Sequence, residues 1–301
     1  MAEPTLTRDR RARTREERVP RHRAPHPVDG FGATFSTLGE LALTGATVSA
    51  SVVDVDSGRL LVAIDDRVSL PTASVGKVLL LIEVAARVAA RSSGGLDLLE
   101  RPREVVGDSG VWQHLQVPAL PVSDLARLVG AVSDNLATNA LLRLVGLDAV
   151  RERAESLGLR RTALLDRVRD ERGPDDAPQL SVGSAAELAA LFAALARGAV
   201  VDPVVSGLVL DWLSSGTDLS MVASAFGFDP LAHREEDHGL SLVNKTGADV
   251  GVRAEAGVLR GPSGAVGYAV LVRFDDVSTS ARLRVLDAMR RVGVDLLEYA
   301  G

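Results

Sequence analysis

The chain contains 34 lysine and arginine residues, and only two of these are lysines, Lys77 and Lys245. At the other positions the sequence uses arginine, whose guanidinium does not lose its proton in proteins. A lysine amine differs, because burial and a neighbouring cation can lower its pKa until the neutral form accepts a proton. The two lysines are therefore candidates for acid-base chemistry.

Lys77 follows a serine at a spacing that suits a nucleophile and its base. Ser74 stands three positions before Lys77, and residues three apart lie on the same face of a helix. A serine hydroxyl is a weak nucleophile until a base removes its proton, which a partly buried Lys77 amine can do if another cation, Lys245, is near. Backbone N-H groups at a helix start can also help to stabilise an oxyanion beside Ser74.

Two further polar runs complete the pattern, Ser-Asp-Asn at 133–135 and Lys-Thr-Gly at 245–247. Each run alone is weak evidence for a catalytic site. Ser-Asp-Asn is also typical of a turn or a helix cap, and Lys-Thr-Gly is also typical of a strand end. All three runs together use both lysines of the chain, and this joint occurrence favours one shared site.

In this order the three runs resemble the motif set of serine β-lactamases and penicillin-binding proteins. The resemblance is to the class A β-lactamase-like serine hydrolases and extends over nearly everything after Gly30. It implies a two-lobe α/β (α+β) fold, in which a five-stranded antiparallel sheet is flanked by terminal helices and an all-α lobe is inserted. It implies no cofactor and no metal.

The resemblance also implies roles for the first two motifs. Ser74 corresponds to the acylated nucleophile and Lys77 to its proton acceptor. Ser133 corresponds to the hydroxyl that relays a proton to the leaving nitrogen. Asn135 corresponds to the side chain that holds the substrate amide and orients Lys77.

Around the third motif, Lys245 and Thr246 correspond to the anchor of a substrate carboxylate, and Gly247 allows close approach. The backbone N-H of Ala248 matches the second oxyanion donor, beside that of Ser74. These positions complete the substrate-binding side of the resemblance.

Two more residues are candidates with an equally good structural alternative. Arg253 stands where some family members keep a carboxylate-binding arginine, although a charge on a strand surface would look the same. Trp112 stands near the aromatic wall of the family's cleft, and a core tryptophan is the alternative.

One position departs from the family pattern. Class A enzymes carry a glutamate, in a Leu-Asp-Arg-x-Glu run, that activates the deacylating water, and the matching run at 165–169 ends in Arg169. An arginine cannot accept a proton at neutral pH. The asparagine that helps to hold this water is also missing, with Gly173 near its place. Asp170 and Glu171 are possible alternative bases if the loop is rearranged.

These residues predict a serine hydrolase that is acylated on Ser74 by β-lactams or related carboxylate-bearing amides or esters, with slow deacylation because of Arg169. A penicillin-binding sensor or acyl-binding module without turnover is an alternative from a different class. An esterase, peptidase or amidase on the same scaffold is another, because pocket shape is set by loops that the sequence does not define. We expect a small-molecule substrate and a monomer.

The periodicity of apolar residues predicts the elements that position these motifs. A short helix, a hairpin at 46–55 and 59–64, and strands at 240–244, 252–259 and 265–274 place both ends of the chain in one sheet. Helices are predicted at 74–90, 122–132, 137–145, 148–157, 185–196, 204–213 and 280–299. The predicted division is 29–73 with 216–301 as the α/β lobe and 74–215 as the all-α lobe.

Composition excludes several function classes. A chain of 301 residues that is 46% hydrophobic can bury a full core, and its net charge of -6 gives no sign of nucleic-acid binding. There is no cysteine, so disulfides and thiolate sites are excluded. No apolar run is long enough for a membrane span.

Residues 1–28 carry eight arginines against four acidic residues and are expected to form a disordered tail. No apolar stretch follows Arg10-Arg11, so no export signal is predicted and the cytoplasm is the default, with export left open. The histidines and acidic residues of 233–238 are of types that bind metal ions, but a solvated loop is the favoured interpretation of this segment.

Overall fold

The computed structural model describes residues 28–90, 95–103, 106–107 and 109–301. The predicted disordered tail therefore lies, apart from its last residue, outside the described part of the chain. The eight α-helices of the described residues are α1 Gly32–Leu43, α2 Lys77–Ala89, α3 Val122–Val132, α4 Asn135–Val145, α5 Leu147–Ser156, α6 Ala185–Ala196, α7 Pro203–Leu213 and α8 Thr279–Ala300.

The described residues also form ten strands. They are β1 Thr47–Asp54, β2 Leu60–Ile64, β3 Leu70–Pro71, β4 Leu98–Glu100, β5 Ala119–Pro121, β6 Ala163–Leu164, β7 Ser181–Gly183, β8 Ser241–Asp249, β9 Val252–Arg260 and β10 Ala265–Arg273. The three-strand β3-β7-β6 sheet and the β4-β5 pair were not predicted, because two or three residues are too few to show a period of two.

The main sheet has five antiparallel strands in the order β2-β1-β10-β9-β8. Two of its strands come from the start of the chain and three from the end, so the helices between them form an insertion. This confirms the predicted fold class. Strand β8 is longer than predicted and runs through the Lys-Thr-Gly motif, because its backbone pairs with β9 as far as Asp249 opposite Val252.

Both faces of this sheet are covered by helices. The central strand β10 is buried along its length except for the last residue, because α6 packs on one face and α8 on the other. One apolar cluster joins α1 and α8 to the sheet, and a larger cluster joins the other face to the inserted helices. The predicted division into lobes stays a prediction, since residues of β9 and β10 belong to the larger cluster.

Helix α2 lies at the centre of the inserted helices. Ten of its thirteen residues are buried, and it contacts α3, α4, α5 and α7. A helix that is apolar nearly all round is stable only when its neighbours surround it, so the amine of Lys77 at its first position has a rigid support. No helix in the described ranges is long and apolar enough to cross a membrane.

The packing of α8 makes a stability prediction. A Cβ atom added at Gly293 would lie 2.2 Å from the carbonyl oxygen of Val222, so Gly293→Ala should destabilise the protein by about 1–3 kcal/mol through overpacking. Gly207→Ala in α7 is the matched control, because no atom lies within 4 Å of its added Cβ and alanine favours a helix by about 0.5–1 kcal/mol over glycine. Denaturant unfolding measures both free energies, and equal effects would contradict the packing.

Candidate active site

Ser74 lies in a 3₁₀ turn, Ala73–Gly76, directly before α2. Strand β7 fixes this turn, because the Ser181 hydroxyl donates to the carbonyl of Ala73 over 2.6 Å and hydrogen-bonds the hydroxyl of Thr72 over 2.7 Å. Ala73 has a left-handed φ of 46°, a strained conformation that persists only where the surroundings impose it. The half-buried Ser74 side chain is therefore held in a defined place.

Gly247 sets how close strand β8 comes to this turn. A Cβ atom there would lie 2.2 Å from the carbonyl oxygen of Thr72 and 3.0 Å from the backbone nitrogen of Ser74. Only glycine allows such an approach. The residues on either side of Gly247, Thr246 and Ala248, consequently line the same cavity as Ser74.

Ser133 joins α3 to α4 in a left-handed conformation with φ 55°. The next residue, Asp134, fixes this junction, because its carboxylate accepts from the N-H of Ala137 over 2.9 Å and from the N-H groups of Val111 and Trp112 over 2.7 and 2.8 Å. The first of these bonds caps α4. Asp134 thus positions its two neighbours in the motif, and α4 begins two residues earlier than predicted.

The two lysine amines meet at the Ser133 hydroxyl. Lys77 Nζ lies 3.2 Å and Lys245 Nζ 3.1 Å from Ser133 Oγ. Lys77 also donates to Ser133 O and to Asn135 Oδ1, each over 2.7 Å, while Asn135 Nδ2 donates to the Gly107 carbonyl. Lys245 donates to the Thr246 carbonyl over 2.8 Å. The structure therefore brings both lysines of the chain to one hydroxyl.

Burial of these amines lowers their pKa values. Lys77 is fully buried, and burial first, then the positive charge of Lys245, holds its pKa well below the ordinary value, against a smaller opposing effect of Asp134. Burial lowers the pKa of Lys245 to about 8, with the charge of Asp218 opposing the shift. These shifts make a neutral amine accessible on Lys77, while Lys245, with a pKa of about 8, is largely a cation at neutral pH.

The hydrogen bonds leave room for base chemistry when Lys77 is neutral. A neutral amine has two N-H groups and one lone pair. Two pure acceptors, Ser133 O and Asn135 Oδ1, take both N-H groups. The lone pair is left to accept a proton from a hydroxyl, which is the requirement for a general base.

A cavity of about 180 Å³ opens beside these groups. Ser74, Ser133, Lys245 and Thr246 line it. The other lining residues are Ser109, Gly130, Ala131, Val132, Gly216, Thr217, Asp218, Asn244 and Ala248.

The sequence model of a single family covers the elements that build this site. It is the model of the Beta-lactamase enzyme family, and it matches residues 35–300. The chain belongs to this family. No curated protein sequence matches the chain.

Solved structures of β-lactamases and of PBP-A have the same fold. The chain is similar to a β-lactamase from Sphaerobacter thermophilus, with 25% identity over 90% of this chain and 97% of the other and a TM-score of 0.76. It is also similar to PBP-A, at 20% identity over 88% and 94% with a TM-score of 0.73. A class A β-lactamase from Mycobacterium abscessus matches at 21% identity over 89% and 100%, with a TM-score of 0.70.

Trp112 does not form a wall of the β-lactamase-type cavity. It is fully buried and belongs to the larger apolar cluster, so the cleft prediction for this residue is wrong and its core alternative holds. The physical cause is the Asp134 carboxylate, which holds the backbone of Val111 and Trp112.

Arg253 lies outside the residues that line the cavity. Its guanidinium donates to the carbonyls of Asp249 and Val252 over 2.9 and 2.6 Å, at the end of the β8-β9 hairpin. Both bonds come from Nη1 and hold that nitrogen at the hairpin, and the predicted contact with a substrate carboxylate stays a prediction.

None of the residues that line the cavity comes from 165–180. Arg169 forms ion pairs with Asp166 over 2.8 Å and with Asp176 over 3.0 Å. Asp170 is exposed and accepts from the Gly107 N-H over 2.8 Å, and Glu171 is exposed. Neither predicted alternative base therefore lies in the cavity.

The histidine-rich segment does not gather ligands. His233 is buried with its Nδ1 3.0 Å from the Asp229 carbonyl, whereas His238 is exposed and bonded to Asp237. No group of three or more potential metal ligands occurs in the part of the chain that the structure describes.

Asp218 is the lining residue that sequence reasoning missed. It follows α7 in a segment without a motif, and its carboxylate accepts from the Thr246 hydroxyl over 2.6 Å. Only the path of β8 brings these two residues together, so no spacing in the sequence could have indicated the contact.

The pKa of Lys245 gives an expected pH dependence to the acylation of Ser74 that the sequence predicts. The second-order rate of adduct formation should fall as pH rises through about 8, where Lys245 loses its charge. In Lys245→Arg this alkaline fall should disappear, whatever the absolute rate, because a guanidinium stays charged up to about pH 12. Intact-mass kinetics between pH 6 and 10 measure the profile; an unchanged fall near pH 8 in the variant would contradict the assignment.

Proposed function

We propose that the protein is a serine hydrolase of the class A β-lactamase type, acylated on Ser74 by a β-lactam or a related amide or ester. The observation that carries this proposal is the contact of both lysine amines with the Ser133 hydroxyl, beside the cavity that Ser74 lines. Family membership supports the general reaction class.

In the proposed acylation the Ser74 hydroxyl attacks the carbonyl carbon, and its proton passes to the neutral amine of Lys77, one helical turn away. The backbone N-H groups of Ser74 and Ala248 stabilise the oxyanion. When the C-N or C-O bond breaks, the leaving atom takes the Ser133 proton, and Lys77 replaces it through the 3.2 Å contact. The enzyme then carries an ester on Ser74 with every other group in its starting protonation state.

Deacylation is proposed to be slow. Release of the ester needs a base that activates a water, and Asp218 is the one carboxylate among the lining residues of the described structure. Asp218 accepts from Thr246 and from Ser220, at the β8 side of the cavity. Arg169 replaces the family's glutamate, and its ion pairs with Asp166 and Asp176 hold it within its own loop.

The same observations favour a second function, a penicillin-binding sensor that stays acylated. A mutant of the fold neighbour PBP-A has been obtained as an acyl-enzyme complex with penicillin G. A sensor and a slow hydrolase share the acylation step and differ in the lifetime of the ester. An esterase or peptidase activity would use the same step on another substrate.

Benzylpenicillin should form a covalent adduct on Ser74 that persists while excess penicillin is removed. Intact-mass spectrometry measures the adduct and its decay, and Ser74→Ala is the control that should show none. Recovery of free protein over hours supports the slow hydrolase, and a permanent adduct supports the sensor. Rapid multiple turnover of a chromogenic cephalosporin would contradict slow deacylation.

A matched pair of variants tests the role given to Arg169. Arg169→Glu places a carboxylate at the position of the missing base, where repulsion from Asp166 and Asp176 directs it away from the loop. Its adduct should decay at least about tenfold faster than that of the parent protein, within the usual effect of a general base. Arg169→Gln removes the same ion pairs without supplying a base, so an equal acceleration there would refute the role.

A further inference from the structure

The β8 side of the cavity contains a carboxylate at the position where the family resemblance predicts an anchor for a substrate carboxylate. Thr246 donates its hydroxyl proton to Asp218 Oδ2 over 2.6 Å. Both residues line the cavity that holds Ser74. The hydroxyl is thus already committed to an internal acceptor.

The Asp218 carboxylate is held in its ionised form. Its other oxygen accepts from the backbone N-H of Ser220 over 3.1 Å and from the Ser220 hydroxyl over 2.6 Å. Burial opposes ionisation, but the bonds from Ser220 and Thr246 and the charge of Lys245 together lower its pKa. Three donors satisfy this carboxylate at neutral pH, so it has no need of a proton.

The nearby cations do not make the β8 side of the cavity rich in N-H donors. Lys245 donates to the Ser133 hydroxyl and to the Thr246 carbonyl, which leaves it at most one N-H for a substrate. Arg253 donates to the carbonyls of its own hairpin. The Thr246 proton is used as well, so of Lys245 and Thr246 only one Lys245 N-H stays available to a substrate.

A substrate carboxylate at this place would meet a fixed negative charge and would lose the hydroxyl donor. An amide or ammonium group would instead donate to Asp218 and to the lone pairs of the Thr246 hydroxyl. Asp218 is exposed at the cavity, so water reduces the repulsion between the two carboxylates, but this repulsion still opposes the gain from the remaining Lys245 N-H.

We propose that Asp218 determines specificity, so that the site prefers substrates that place an N-H donor, an amide or an ammonium group, beside Thr246 over substrates that place a carboxylate there. This inference rests on the proposed acylation of Ser74. It narrows the substrate class and gives Asp218 a positioning and selecting role at the substrate-binding side of the cavity.

Benzylpenicillin and its carboxamide test the inference, because they differ only in the group that should face Asp218. Intact-mass kinetics measure the second-order rate of adduct formation on Ser74 for each compound, and the two rates are compared as the ratio of carboxamide to free acid. The protein should react faster with the carboxamide. In Asp218→Asn the ratio should shift toward the free acid by at least about tenfold, since the amide can both accept from Thr246 and donate to a carboxylate.

Asp287→Asn on the exposed side of α8 is the control for removing one negative charge and should leave the ratio unchanged. Asp218→Ser is a second variant with the same expected direction. A ratio that stays the same in both Asp218 variants, or a parent protein that reacts faster with the free acid, overturns the inference while the proposed function stands. No adduct with either compound in any protein overturns the proposed function, and this inference with it.

Discussion

The structure depends on one physical constraint, the placement of two lysine amines on a single half-buried hydroxyl. Lys77 and Lys245 are almost fully shielded from solvent, and each contacts Ser133 Oγ. Two cations in such a place would repel each other with little screening by water. This repulsion favours loss of a proton from one of the two amines, and a neutral amine beside a cation is what a serine nucleophile needs from its surroundings.

The remaining architecture holds these groups against that repulsion. The buried helix α2 supports Lys77, the sheet supports Lys245, and the Asp134 carboxylate fixes the Ser133 junction between α3 and α4. Gly247 lets the sheet approach the Ser74 turn. Each support comes from a different part of the chain, so the site exists only when both ends of the chain share one sheet.

Much of this could be predicted from the sequence, because apolar periodicity defines the long helices and strands and the scarcity of lysine identifies the reacting amines. Trp112 and Arg253 could not be placed, since their positions follow from backbone contacts with Asp134 and within the β8-β9 hairpin. The contact of Asp218 could not be predicted for the same reason, because its partner Thr246 is distant in the chain. Periodicity gives the elements, whereas hydrogen bonds between distant loops decide which side chains reach the cavity.

The presence of only two lysines makes the central claim directly measurable. In protein labelled with ¹³C and ¹⁵N at lysine, NMR titration follows just two side-chain amines. The account predicts that Lys245 titrates near pH 8 and that the pKa of Lys77 is also well below its ordinary value, with each midpoint shifting when the other lysine is replaced. Two independent midpoints near the ordinary lysine value of about 10.4 would contradict it.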